Sequence, residues 1–120
     1  MMTKVYDLEE RLINFAIMVI DVVELLPTTR AGNHIAGQLL RSGTSPAPNY
    51  GESQSAESKK DFIHKIKVAL KELRESRVWL KMIYKKNYIQ PNEIVLDTLN
   101  ECEELIKILS KSVITAESKT

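Results

Sequence analysis

Apolar residues recur at alternating spacings of four and three along most of this chain, a period that helices packed side by side can bury. Leu8, Leu12, Phe15, Val19, Val22 and Leu26 form the first seam. Ile13, Ala16, Ile20 and Val23 run beside it, and so wide an apolar arc asks for partners on two sides. Phe62, Ile66, Ala69, Leu73, Ser76, Leu80 and Ile83 make the longest seam; Val95, Leu99, Cys102, Ile106, Leu109 and Val113 repeat it. No stretch alternates convincingly with period two, and the connections are short. The pattern predicts an all-α fold, an antiparallel up-and-down four-helix bundle.

The spacing predicts helices over 7–26, 29–57, 58–87 and 91–116, in one domain covering 1–120. Asp7, Thr28 or Thr29, and Ser58 offer side-chain oxygens to the first free N–H groups, and Pro91 or Asn92 opens the last helix. Residues from Glu117 to Thr120 should fray. Helix 2 is the exception to regularity. Its segment Arg41–Glu52, RSGTSPAPNYGE, holds Pro46 and Pro48, each lacking an N–H and clashing with the turn before it. A kink or break near 44–48 is expected, giving two half-helices at an angle. Gly32, Ala36, Gly43, Ala47 and Gly51 put small residues along this element, which permits another backbone to come close.

Composition narrows the function classes. At 43% hydrophobic and 28% charged, 120 residues suffice for one core without a disulfide or metal. Cys102 is alone, so no intramolecular disulfide forms, which fits a reducing cytoplasm. The apolar run Leu12–Leu26 is interrupted by Asn14, Asp21 and Glu24 and falls short of the ~20 residues of a membrane span. Asp7, Glu9 and Glu10 stand where a signal peptide would be basic. A cytoplasmic protein with no membrane partner is expected.

Catalytic patterns are missing too. Gly32 and Gly37 have phosphate-loop spacing, but Gln38 and Leu39 replace the required Lys and Ser/Thr. Asp61 and His64 lack the second pair and the further carboxylates of a di-metal bundle, and His34 has no partner set. Ser42, Ser45, Ser53 and Ser55 have no base nearby in sequence. The chain reads as a non-enzyme with no catalytic residue, metal, cofactor or small-molecule substrate.

Charge is unevenly spread. Ser58–Asn87 carries ten basic and three acidic residues, Asp7–Leu26 one and five, Pro91–Glu117 two and six. Lys60, His64, Lys67, Lys71, Arg74, Lys81 and Lys85 follow three-and-four spacing, interrupted only by Val78, opposite the Phe62–Ile83 seam. Like charges at i,i+4 cost a few tenths of a kcal/mol, so the stripe does not serve the isolated helix. Two explanations stay open. The stripe is a solvated face balanced by the acidic helices, within the chain or across a subunit contact; or Lys60, Lys67, Lys71, Arg74, Lys81 and Lys85 bind the phosphates of RNA or DNA. Trp79, Tyr84 and Tyr88 near its end are candidates for stacking bases.

The run R-S-x-x-S-x-x-x-N-x-x-E, here Arg41, Ser42, Ser45, Asn49 and Glu52, precedes the helix FIHKIKVALKELRES. Together they resemble the small bacterial four-helix-bundle proteins encoded by intervening sequences within 23S rRNA genes, over residues 5–115. A related fold occurs in the accessory protein of diversity-generating retroelements. The resemblance implies a bundle that assembles into a ring, a homopentamer, with nucleic-acid association as a scaffold or accessory factor. The alternative is a protein–protein interaction module that binds no nucleic acid. Ser53 stands where many members carry glycine, which predicts a less sharply broken exit from helix 2. On a helix, Arg41, Ser45, Asn49 and Glu52 line one face across the break. There they satisfy buried groups of the broken helix, reach a neighbouring subunit, or contact a ligand.

Overall fold

Each apolar seam lies on the inward face of a helix in the computed structural model, which describes residues 7–119. The helices are α1 (Leu8–Glu24), α2 (Arg30–Thr44), α3 (Pro46–Ser53), α4 (Lys59–Lys86) and α5 (Glu93–Glu117). Since α2 and α3 are halves of one bent element, the architecture is an all-α four-helix bundle.

Side-chain caps close three of the helix starts. Asp7 Oδ1 accepts from Glu10 N–H, Thr29 Oγ1 from Gly32 N–H and Ser58 Oγ from Asp61 N–H, each at 3.0 Å. Asn92 precedes α5 without such a bond. At the end of α4, Asn87 turns left-handed (φ 61°), a conformation asparagine tolerates better than most residues. α1 stops two residues short of Leu26, before the restriction that Pro27 imposes, yet Leu26 stays buried. α5 runs through Glu117, inside the stretch expected to fray, and Thr120 lies outside the described residues.

The break in helix 2 is narrower than expected. Only Ser45 separates α2 from α3, and its backbone stays near helical values (φ −74°, ψ −35°). Pro46 and Pro48 cannot donate to the carbonyls of Ser42 and Thr44. Asn49 resumes the ladder after them: its backbone N–H makes the i→i−4 bond to the Ser45 carbonyl at 3.2 Å and its Nδ2 reaches the same oxygen at 3.0 Å. α3 then ends at Ser53, earlier than expected. Ser53 Oγ donates to the Tyr50 carbonyl at 2.6 Å while Gln54, Ser55 and Ala56 make i→i−3 bonds, so serine closes the helix without glycine.

Cross-helix contacts fix direction and register. Val19 abuts Gly43 while Glu9 lies near Gly51, so α1 opposes α2 and α3. Ser42 bonds Ser76 and Glu52 bonds Lys65; Lys67 meets Glu117 and Arg77 meets Glu103. Rising numbers on one helix meet falling numbers on its neighbour, which is the up-and-down order. Among the described residues the backbone of α1 comes close to α2, α3 and α5, and that of α4 to α2, α3 and α5, but the backbones of α1 and α4 stay apart. They occupy diagonal corners and run in the same direction.

Leu12, Phe15, Val19, Leu39, Ile66, Leu73, Leu80 and Leu109 are fully enclosed between these helices. In α5, Thr98 rather than Leu99 is fully buried, its hydroxyl donating to the Ile94 carbonyl at 2.7 Å. The second stripe of α1 does not find a full cover. Ile13 and Ile20 are 38% exposed and the neighbouring Ile17 50%.

A Cβ on Gly43 would meet Val19 Cγ1 and Cγ2 at 2.7 Å, whereas Gly37 has nothing within 4 Å. Gly43→Ala should therefore destabilise by about 1–3 kcal/mol through overpacking, and Gly37→Ala should stabilise by about 0.5–1 kcal/mol through helix propensity. Urea unfolding of the two variants checks the opposite signs.

Candidate nucleic-acid interface

α4 presents the basic stripe on its outward face because its seam residues are taken up by the core. Lys60, His64, Lys67, Lys71, Arg74, Lys81 and Lys85 are all exposed, and Val78 and Met82 lie among them, 49% and 45% exposed. Lys67 pairs with Glu117 of α5 at 2.9 Å, and Arg74 Nη2 reaches Ser110 Oγ at 3.4 Å. Among the described residues, Lys60, Lys71, Lys81 and Lys85 make no ion pair. Lysine side chains so placed leave their ammonium groups to solvent or to an external anion.

The aromatic residues near the stripe are only partly available. Trp79 is half-buried, edge-on to His34 with ring centroids 5.9 Å apart, and its Nε1 donates to Glu75 at 3.1 Å. Tyr88 is half-buried beneath the Lys86 ammonium, 5.9 Å from its ring centre. Tyr84 is the more open of the two tyrosines. Sequence spacing could not separate these three, because the inward partners of Trp79 come from α2.

The motif residues divide by what they hold. Ser42 and Ser76 are fully buried, their oxygens 2.8 Å apart. Each hydroxyl also has a carbonyl of its own helix in reach, Glu72 at 3.0 Å for Ser76 and Leu39 at 3.4 Å for Ser42, so one hydroxyl donates to the other and the second donates to its carbonyl. Ser45 Oγ accepts from Asn49 Nδ2 at 3.0 Å inside the break. Glu52 accepts from Lys65 Nζ at 2.7 Å, and this bond holds the exposed ammonium above its ordinary range. Arg41 spans from α2 to Glu72 at 2.9 Å and to Glu75, with Gln38 beside it. Its side chain is 49% exposed, so it acts as a surface clamp between helices and not as the donor to buried carbonyls that the break suggests. The reason is reach: the Glu72 and Glu75 carboxylates on α4 lie within the guanidinium's arc.

Among the described residues no titratable group stands out as a nucleophile. Cys102 is buried with its Sγ donating to the Leu73 carbonyl at 3.2 Å, and burial pushes the thiol from 9.0 up to about 12. Among the described residues no group of three or more His, Cys, Asp or Glu is arranged to hold a metal, and no helix is long and apolar enough to cross a membrane.

A family model described as 23S rRNA-intervening sequence protein matches residues 5–111. No curated protein matches the chain. Among solved structures, a protein of unknown function from the S23 ribosomal protein family of Bacteroides thetaiotaomicron is similar. It is 30% identical, with a TM-score of 0.79, over 88% of this chain and 96% of that one.

Two outcomes follow from this geometry. Asn49→Ala should cost about 1 kcal/mol at any salt concentration, since it strips the break of two hydrogen bonds. Arg41→Ala should cost under about 1 kcal/mol, and the loss should shrink in high salt, as exposed pairs do; paired urea titrations at low and high salt compare them. For Cys102, the folded thiol titrates above the unfolded one, so its stabilisation is complete below pH 9.0 and is lost as pH rises toward about 12. Thiol-reagent labelling should be slow in the native protein and fast in denaturant, and Cys102→Ser should flatten the alkaline loss of stability.

Proposed function

The chain belongs to the 23S rRNA-intervening sequence protein family, and on that footing we propose that it is a non-catalytic scaffold that works as a ring of its own copies, a homopentamer, and associates with nucleic acid. One observation carries the self-association: Ile13, Ile17 and Ile20 form an exposed row on the outward side of α1. Ile13 continues into a shallow groove with Ala47, Pro48 and Gly51 of α3. A contiguous apolar surface of this kind marks an interface. A scaffold role is supported by the break, where each motif side chain is engaged in holding helices and none is left as a free base or nucleophile.

Nucleic-acid association is supported by the ammonium groups of Lys60, Lys71, Lys81 and Lys85, which find no acid among the described residues. They run along one helix face, and phosphates at regular spacing are the polyanion such a row suits. A second reading, a protein–protein module without nucleic acid, is favoured by α1: Glu9, Glu10, Asp21 and Glu24 are exposed and also make no ion pair among the described residues. Cations and carboxylates left open on one molecule can satisfy each other between copies.

Light scattering should give a mass several times the 13.7 kDa of one chain, and a monomer at micromolar concentration would sink the self-association. Binding to single- and double-stranded RNA and DNA should be insensitive to sequence and weaken steeply with salt. Replacing Lys60 and Lys85, the ends of the stripe, by glutamine should lower the slope of log K against log salt by about 1.5–2. Absence of binding to every nucleic acid at low salt would leave the protein–protein reading.

A further inference from the structure

The outward faces of α1 and α4 are complementary in a way that the single chain cannot use. On α1 the row Ile13, Ile17, Ile20 is flanked by Glu10 on one side of the row's length and Glu24 on the other. On α4 the exposed Val78 and Met82 lie among Lys71, Lys81 and Lys85. One face is apolar with an acidic border, the other apolar with a basic border, and among the described residues the α1 and α4 backbones do not approach each other within the chain.

Height along the bundle matches as well. Val19 is level with Gly43, and the adjacent Ser42 is level with Ser76. Both helices rise equally per residue and run the same way. Stepping along them from that level places Glu10 opposite the turn between Lys67, which already meets Glu117, and the open Lys71, Glu24 opposite the Lys81 turn, and Ile20 within about two residues of Val78. Two copies placed side by side without axial offset would thus set acid against base at both ends of the isoleucine row.

We propose that copies of this chain join head to tail, the outer face of α1 on one copy seated along the outer face of α4 on the next. This rests on the self-association reading above and names its contact. An isologous contact is disfavoured by charge: α1 on α1 brings Glu10 and Glu24 against carboxylates, and α4 on α4 brings lysines together. Because the two faces sit on diagonal corners, each copy engages two different neighbours at once, and such a heterologous contact closes as a ring where the rotation between neighbours returns to its start and runs on as a filament where it does not. The contact covers the stripe from Lys67 to Lys81 and leaves Lys60 and Lys85 at its two edges, where phosphates could still reach them.

The test reverses charge on each face of the full chain. Glu10→Lys with Glu24→Lys makes one variant, and Lys71→Glu with Lys81→Glu the other; all four positions are exposed, and circular dichroism checks that the helices persist. In light scattering each variant alone should associate at least about tenfold more weakly than wild type, and an equimolar mixture, or the chain carrying all four changes, should regain the assembly. A wild type that is multimeric while both reversals leave its mass unchanged would overturn the α1–α4 contact and keep self-association. A monomeric wild type would overturn self-association itself. Reversals on α4 that spare the mass but abolish binding to a nucleic-acid duplex would assign that face to phosphate and overturn the contact.

Discussion

The seating of α2 between α1 and α4 at Ser42 and Gly43 sets the register on which every other contact depends. Gly43 has no Cβ, and Val19 occupies the space where one would be. The next residue back, Ser42, turns to the other side and shares a hydrogen bond with Ser76, with the Leu39 and Glu72 carbonyls in reach of the two hydroxyls. Both hydroxyls are buried and both are satisfied, so the pair costs the core little and specifies one alignment. A slide of α2 along its neighbours would drive a side chain into Val19 and strand a buried hydroxyl on each helix.

The ion pairs follow from that alignment. Arg41 meets Glu72 and Glu75, Glu52 meets Lys65, Lys67 meets Glu117, and Arg77 meets Glu103, each pair at the edge between adjacent helices. Exposed pairs of this kind contribute little stability. Their placement matters more for what it leaves over: charges at helix boundaries are answered, and those on the outward faces of α1 and α4 are not. The proline break belongs to the same arrangement. Asn49 ties the turn after the break to Ser45, while Arg41 and Glu52 reach α4 from either side of the bend.

Much of this was legible in the residues. Three-and-four spacing marked the seam of α1, and Leu8, Leu12, Phe15, Val19, Val22 and Leu26 are all buried. Asp7, Thr29 and Ser58 cap as their side chains suggest, and the prolines locate the break to within a turn. Less legible were the second stripe of α1, which stays half open on the outward side of the helix, and Arg41, whose partners lie some thirty positions away on α4.

The sequence by itself determined which side of each helix is wet and which is dry, because a helix repeats every 3.6 residues and a side chain's position in that cycle is local information. It determined the sign of each outward face for the same reason. The tertiary structure alone decided which faces become neighbours, which diagonal keeps α1 from α4, and which level of one helix stands beside which level of another. Those depend on the fit of Gly43 to Val19 and of Ser42 to Ser76, contacts between residues far apart in the chain, and no period within a single segment encodes them.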